Sequence, residues 1–139
     1  MRDPEQRARA LAAARNAILA TNRRDGTPQL TPNWFHWDGA VFRISTLAWT
    51  AKVRNIRRDP RVALCIDFPA GPDEGGGDYM VAYGRAELVE GERVRDETLP
   101  LLRKYLPEEE VLPWWERINR DGDRVVVVVH PERIVWRGD

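Results

Sequence analysis

The sequence predicts a mainly β protein: a barrel of about six or seven mostly antiparallel strands with a few peripheral helices. Three observations lead there. Short apolar and β-branched runs recur along the chain, separated by turn signals at Arg24-Asp25-Gly26, Asp38-Gly39 and Asp121-Gly122. Most links between the runs are too short for crossover helices, so neighbouring strands pair antiparallel. A chain of 139 residues has room for one real core, and many strands in so small a chain favour closure. Neither an internal repeat nor a linker is visible, so residues 1–139 read as one domain.

Each element has a local reason. Asp3, Pro4 and Gln6 look like a helix start, with an N-cap, a proline at the first helical position and a capping-box partner; the helix should run to about Asn16. Ala17–Asn22 is a short apolar strand. Pro28–Trp37 reads as a second strand, and Asp38-Gly39 as a two-residue hairpin turn returning through Ala40–Ser45. Thr50–Asp59 reads as a short helix ended by Pro60, and Arg61–Phe68 as an aliphatic strand. Pro69–Gly77 is a glycine-rich loop. Asp78–Glu90 is a long strand whose Gly84 marks a bend or bulge. Glu92–Tyr105 is helical, with Leu99, Leu102 and Leu106 on one face; Pro107 and Pro113 break up the segment after it. Arg124–His130 carries five consecutive valines, a buried strand, and Glu132–Arg137 is a final strand.

Composition narrows the function. Acidic and basic residues balance at 22 each, so no global field recruits nucleic acid or an anionic membrane. Cys65 lies in an apolar run, where it reads as a small buried hydrophobe. Two histidines and one cysteine at no ligand-like spacing argue against a structural metal. The polar start and the lack of a membrane-length apolar run point to a cytoplasmic protein.

One local feature stands out against this background. The chain has twenty arginines but two lysines, and Lys52 falls at the start of the predicted helix. A compact ammonium in the first turn, beside the Thr50 hydroxyl and the free amides of Ala51 and Lys52, suits a phosphate. Ser45 and Thr46, ending the preceding strand, could add hydroxyls. Lys52 and Asn55 share a helix face at i, i+3, while Val53 and Ile56 can face the core. Spacing alone favours a solvated basic helix end with an incidental lysine over a phosphate site.

The order of motifs adds a further indication. Thr-Pro-Asn-Trp-Phe-His-Trp, Val-Phe-Arg-Ile-Ser-Thr, Thr-Ala-Lys-Val-Arg-Asn-Ile-Arg-Arg-Asp-Pro-Arg-Val-Ala-Leu and Tyr-Met-Val-Ala-Tyr-Gly-Arg-Ala-Glu-Leu-Val succeed one another along the chain. Over roughly residues 10 to 137 this resembles the pyridoxamine 5′-phosphate oxidase-like split β-barrel family, most closely its flavin/deazaflavin oxidoreductase branch. The resemblance implies a split β-barrel and a homodimer with cofactor sites at the subunit interface, binding coenzyme F420 or FMN. It implies that Ser45, Thr46, Thr50 and Lys52 hold the cofactor phosphate, that Asn55 lies near the phosphate and tail, and that Pro32 and Asn33 meet the ring system. Some relatives carry arginine at the position of Thr50. The C-terminal Arg and His motif of true pyridoxamine phosphate oxidases is not found, so activity on that substrate is not expected.

Other residues carry less specific signals. Arg54, Arg57, Arg58 and Arg61 are either ordinary surface arginines or a basic fringe suited to the polyglutamate tail of F420. Alternation sends Trp34 and His36 to one face and Phe35 and Trp37 to the other; one pair should fill the barrel and the other line the interface or cofactor pocket. Trp114 and Trp115 cannot both point inward. No side chain reads as a convincing acid or base. The leading expectation is an oxidoreductase using F420 or a flavin on an electron-poor small-molecule acceptor. The alternatives are an FMN-binding pyridoxamine 5′-phosphate oxidase-related protein, or a cofactor-binding or carrier protein without turnover. Single-stranded nucleic-acid binding by tryptophans and arginines conflicts with the neutral charge.

Overall fold

Asp3 opens the first helix by accepting the Glu5 amide at 2.8 Å, with Pro4 in the first turn. The computed structural model describes residues 3–68 and 77–137; most of the expected Pro69–Gly77 loop lies outside them. The elements are α1 (Pro4–Ala13), β1 (Ala17–Asn22), β2 (Pro28–Asn33), β3 (His36–Trp37), β4 (Phe42–Leu47), α2 (Ala51–Arg58), β5 (Arg61–Phe68), β6 (Asp78–Val89), α3 (Arg93–Tyr105), α4 (Glu108–Ile118) and β7 (Arg124–Trp136). All strand pairs are antiparallel, in one seven-stranded sheet of order β2-β1-β5-β6-β7-β4-β3. The expected split β-barrel is therefore present.

That order explains the first departure from the sequence-based expectation. Pro28–Trp37 is two strands, not one. β2 pairs with β1 at one edge of the sheet, and β3 pairs with β4 at the other. Only Trp34 and Phe35 join them. Three residue steps from Asn33 to His36 span at most about 10 Å, so the two edges must come together and the sheet must curl. Phe35, fully buried, anchors this seam in the core. The Tyr105 hydroxyl accepts the Phe35 amide at 3.0 Å and lies 2.8 Å from the Arg15 carbonyl. The Lys104 ammonium sits 3.5 Å from the centroid of the Phe35 ring and donates to the Leu11 carbonyl at 3.2 Å. Burial pulls the Lys104 pKa down to about 8.

The hairpin between β3 and β4 is also longer than its Asp-Gly signal implies. Trp37 pairs with Phe42, leaving four loop residues, and the strand runs over Phe42–Leu47 rather than Ala40–Ser45. The Asp38 carboxylate makes the wider turn possible by accepting the amides of Ala40 at 2.8 Å and Val41 at 2.9 Å. It also bonds Arg43, which reaches Glu97 on α3.

At the C-terminal end, Arg124–His130 and Glu132–Arg137 form one strand rather than two. β7 stays paired with β6 through a register shift at Tyr83/Gly84. Gly84 is required there: a Cβ would lie 2.0 Å from the His130 carbonyl oxygen. The valine run is buried on both faces. Val127 and Val129 join the barrel core with Phe35, Phe42, Ile44 and Leu64. Val126 and Val128 pack outward with Leu101, Leu102, Val111 and Trp115 beneath α3 and α4. This second layer explains why Pro113 does not end a helix. An internal proline costs about 3 kcal/mol, and burial of Val111 and Trp115 on one face of α4 offsets a cost of that size. Pro107 stands at the N-cap, and Glu108–Glu110 fill the first turn, where acidic side chains suit the helix dipole.

Two measurements test this packing. Gly84→Ala should lower stability by at least about 2 kcal/mol in urea unfolding, because the clash is with backbone and cannot relax by rotamer change. Burial alone would raise the Asp38 carboxyl, but its bonds to Arg43, Val41 and Ala40 bring it down to about 2. A depressed carboxylate stabilises above its unfolded value, about 3.9, and that contribution is lost as pH falls towards the folded value. Melting temperatures measured between about pH 5 and pH 2 should fall less steeply for Asp38→Asn than for the wild type.

Candidate functional site

The residues singled out in the sequence gather around the N-terminus of α2. Lys52, in its first turn, donates to Asn33 Oδ1 at 2.7 Å. Asn33 is the last residue of β2, immediately before the seam. Its amide nitrogen donates to the Thr31 carbonyl at 2.7 Å and the Thr31 hydroxyl at 3.1 Å, which aims its oxygen at the lysine. Burial, then the nearby charge of Arg124, lowers the Lys52 pKa. Pro32 is exposed on the edge strand β2, where a missing N–H is tolerated.

The hydroxyls behave differently from one another. Thr50 sits at the N-cap of α2, but its hydroxyl donates to the Leu47 carbonyl at 2.9 Å. It does not cap the helix, so the first-turn amides keep no side-chain partner. Ser45 and Thr46 point to opposite faces of β4, as adjacent strand residues must. Thr46 is buried on the face that carries Phe42 and Ile44. Ser45 faces the other way and accepts from the Arg124 guanidinium at 2.9 Å.

Asn55 is held inside the protein. Its amide donates to Thr21 Oγ1 at 3.1 Å and Gln29 Oε1 at 3.0 Å, and its oxygen accepts from Arg58 at 3.1 Å. It therefore ties α2 to the β1–β2 hairpin, while Val53 and Ile56 are buried as expected. Arg54 and Arg58 are exposed. Arg58, with Arg23 and Arg24, lines a shallow cavity of about 370 Å³ that reaches Ala51 and Asn55. The same three arginines line an adjoining groove of about 670 Å³ that extends past Asp59 to Arg61.

Arg124 stands in this corner without any signal that singles it out in the sequence. Burial lowers its pKa, with Asp123 acting the other way, and its Nε is buried with no hydrogen-bond partner among the described residues. Its only visible signal is a charge at the head of five valines; the β4–β7 register that brings it to Ser45 cannot be read from the chain. Trp49, also not singled out, is 63 % exposed beside this corner and donates its indole N–H to Asp123 at 3.1 Å. Here two cations, Lys52 and Arg124, stand near each other, and neither forms an ion pair among the described residues. Half-buried positive charge with no carboxylate bonded to it is chemistry that fits an anion.

The aromatic residues divide between core and helix layer. Phe35 and Trp37 pack on the barrel core. Trp34 stacks on Tyr105 at 4.4 Å and on Trp114 at 5.9 Å. Trp115 is buried, whereas Trp114 is half-buried with the Arg117 guanidinium over its ring. A separate apolar surface runs over the outer face of β2, β1, β5 and β6, with Leu30 at 62 %, Ile18 at 37 %, Tyr83 at 47 % and Tyr79 at 43 % exposure. Among the described residues, no helix is long and apolar enough to cross a membrane.

Comparison with known proteins agrees with this architecture. The chain is similar to an F420 reductase, with 30% identity over 91% of this chain and 94% of that one and a TM-score of 0.68. It is similar to the conserved hypothetical protein Rv2991 from Mycobacterium tuberculosis, with 26% identity, 98% and 84% coverage and a TM-score of 0.81. It shares a fold with a heme binding protein from Mycobacterium smegmatis, at 21% identity, 99% and 55% coverage and a TM-score of 0.69. Residues 3–136 match the family described as pyridoxamine 5′-phosphate oxidase, and the chain belongs to that family.

Proposed function

We propose that this protein is an oxidoreductase that binds coenzyme F420, with FMN as the alternative cofactor, and serves an electron-poor small-molecule acceptor. The observation that carries the reading is the pair of half-buried cations at the N-terminus of α2, where Lys52 is fixed by Asn33 and stands near Arg124. When bound, the cofactor supplies the hydride chemistry; the protein binds, orients and shields it. Lys52 and Ser45 hold the phosphate, with the first-turn amides of α2 adding donors. Thr50 shapes that turn through its bond to Leu47, and Thr46 packs the strand beneath it. Pro32 and Asn33 offer the end of β2 to the ring. Asn55 acts by positioning Arg58.

Support for F420 over FMN comes from the cavity lined by Arg23, Arg24 and Arg58 beside Ala51 and Asn55 and from the groove that continues it to Arg61, whose arginines suit a tail of carboxylates, and from the similarity to an F420 reductase. Support for a homodimer comes from the exposed apolar face carrying Leu30, Ile18, Tyr79 and Tyr83. A second copy of this chain would cover it and complete a cofactor site at the subunit boundary.

Fluorescence titration of the protein with F420 and with FMN tests the reading. At least one should bind at micromolar levels. A charge-assisted hydrogen bond is worth about 1.5–3 kcal/mol, so Lys52→Ala should weaken binding by about 10- to 100-fold. Arg58→Ala should weaken it less. A wild type that binds neither cofactor overturns the proposal. Asn55→Ala should instead lower stability in urea by about 2 kcal/mol, because it removes both hydrogen bonds that tie α2 to Thr21 and Gln29.

A further inference from the structure

We propose that Arg124 is the second cation of this site and that, with Lys52, it makes binding depend on the cofactor's phosphate group. The inference rests on the cofactor reading above. Arg124 opens β7 opposite Leu47, and its guanidinium crosses to the Ser45 hydroxyl at 2.9 Å. A hydroxyl does not neutralise a guanidinium. The buried Nε has no partner among the described residues, and the adjacent Asp123 receives the Trp49 indole N–H instead. Elsewhere the chain gives its partly buried arginine carboxylates: Arg43 has both Asp38 and Glu97. Arg124 makes no ion pair among the described residues; the neighbouring Asp123 attracts it without a direct bond, and its charge effect on Lys52 is repulsive.

Two like charges in one half-buried corner raise the energy of the unliganded protein. A residue kept only for packing would be better served by an uncharged side chain of similar length. An anion between the two would relieve both the repulsion and the desolvation. Arginine supplies a planar fork and lysine a point charge, and both are suited to phosphate oxygens. FMN and F420 share a phosphate attached through the side chain of the ring system, so the chemistry named here is common to both.

The test compares each phosphorylated cofactor with its dephosphorylated core: FMN with riboflavin, and F420 with the deazaflavin core lacking the phosphate. Dissociation constants are measured by fluorescence for the wild type and for Arg124→Met, with Arg124→Gln in its place should the methionine variant not fold. The wild type should prefer the phosphorylated form. The variant should lose about tenfold or more of that preference, while binding of the dephosphorylated core changes by less than about threefold. The unliganded Arg124→Met protein should melt no lower than the wild type, because the repulsion is gone. A folded variant that keeps the full phosphate preference overturns the role of Arg124 and leaves the cofactor reading standing. A wild type without phosphate preference for either cofactor overturns both. The arm that shows the preference identifies which cofactor is the source of the phosphate.

Discussion

The structure depends on the two-residue join between β2 and β3. The sheet order places these strands at opposite edges, yet only Trp34 and Phe35 separate them. Covalent geometry then forces the edges together, and with them the curl of every strand between. The seam is reinforced from both sides. Phe35 is buried in the barrel core, and α3 sends Tyr105 and Lys104 onto the same two residues. Strand edges are where sheets are vulnerable to unwanted pairing, and this closure joins them within a single chain.

The candidate site is a consequence of that closure. Asn33 is the residue at which β2 stops, and its side-chain oxygen is left pointing at Lys52 because its amide is already bonded to Thr31. α2 is held against the barrel by Val53 and Ile56, and against the β1–β2 hairpin by Asn55. The far wall comes from β4 and β7, whose register sets Ser45 beside Arg124. Residues from four elements meet here, and the contacts that join those elements, Lys52 to Asn33 and Arg124 to Ser45, are far apart in sequence. The polar network around Asn55 is satisfied throughout, which makes this wall of the site rigid.

Much of the fold is legible in the sequence because its signals are local. β1, β5 and α2 arise directly from apolar runs, a proline stop and short turns. Apart from the β3–β4 turn, which Asp38 widens locally, the misses share one cause: a tertiary contact overriding a local rule. Trp34 and Phe35 look like strand residues, but the edge switch takes them out of pairing. Pro131 looks like a strand end, but the bulge opposite Gly84 absorbs it. Pro113 looks like a helix stop, but the apolar face of α4 is buried on both sides of it. The site is half legible for the same reason. Lys52 announces itself by rarity and by its place at a helix start, whereas Arg124 is one of twenty arginines until β7 is paired with β4.

Rarity alone, however, does not distinguish the two lysines, since both are half-buried. Their surroundings do. Lys104 has a backbone carbonyl and the faces of Phe35 and Tyr105, a setting that accommodates a cation without any further partner. Burial is the sole cause of its lowered pKa. Lys52 has one amide oxygen and a positively charged neighbour. The groups that bond Lys104, a carbonyl and two ring faces, are all attractive and hold it as it stands. The environment of Lys52 contains a repulsion that the described residues do not offset. An arrangement of this kind is stable in a folded protein only at the expense of some stability elsewhere, and functional sites are where such costs are retained. The local charge balance, rather than the identity of the residue, therefore separates the lysine that closes the barrel from the lysine proposed to hold a ligand.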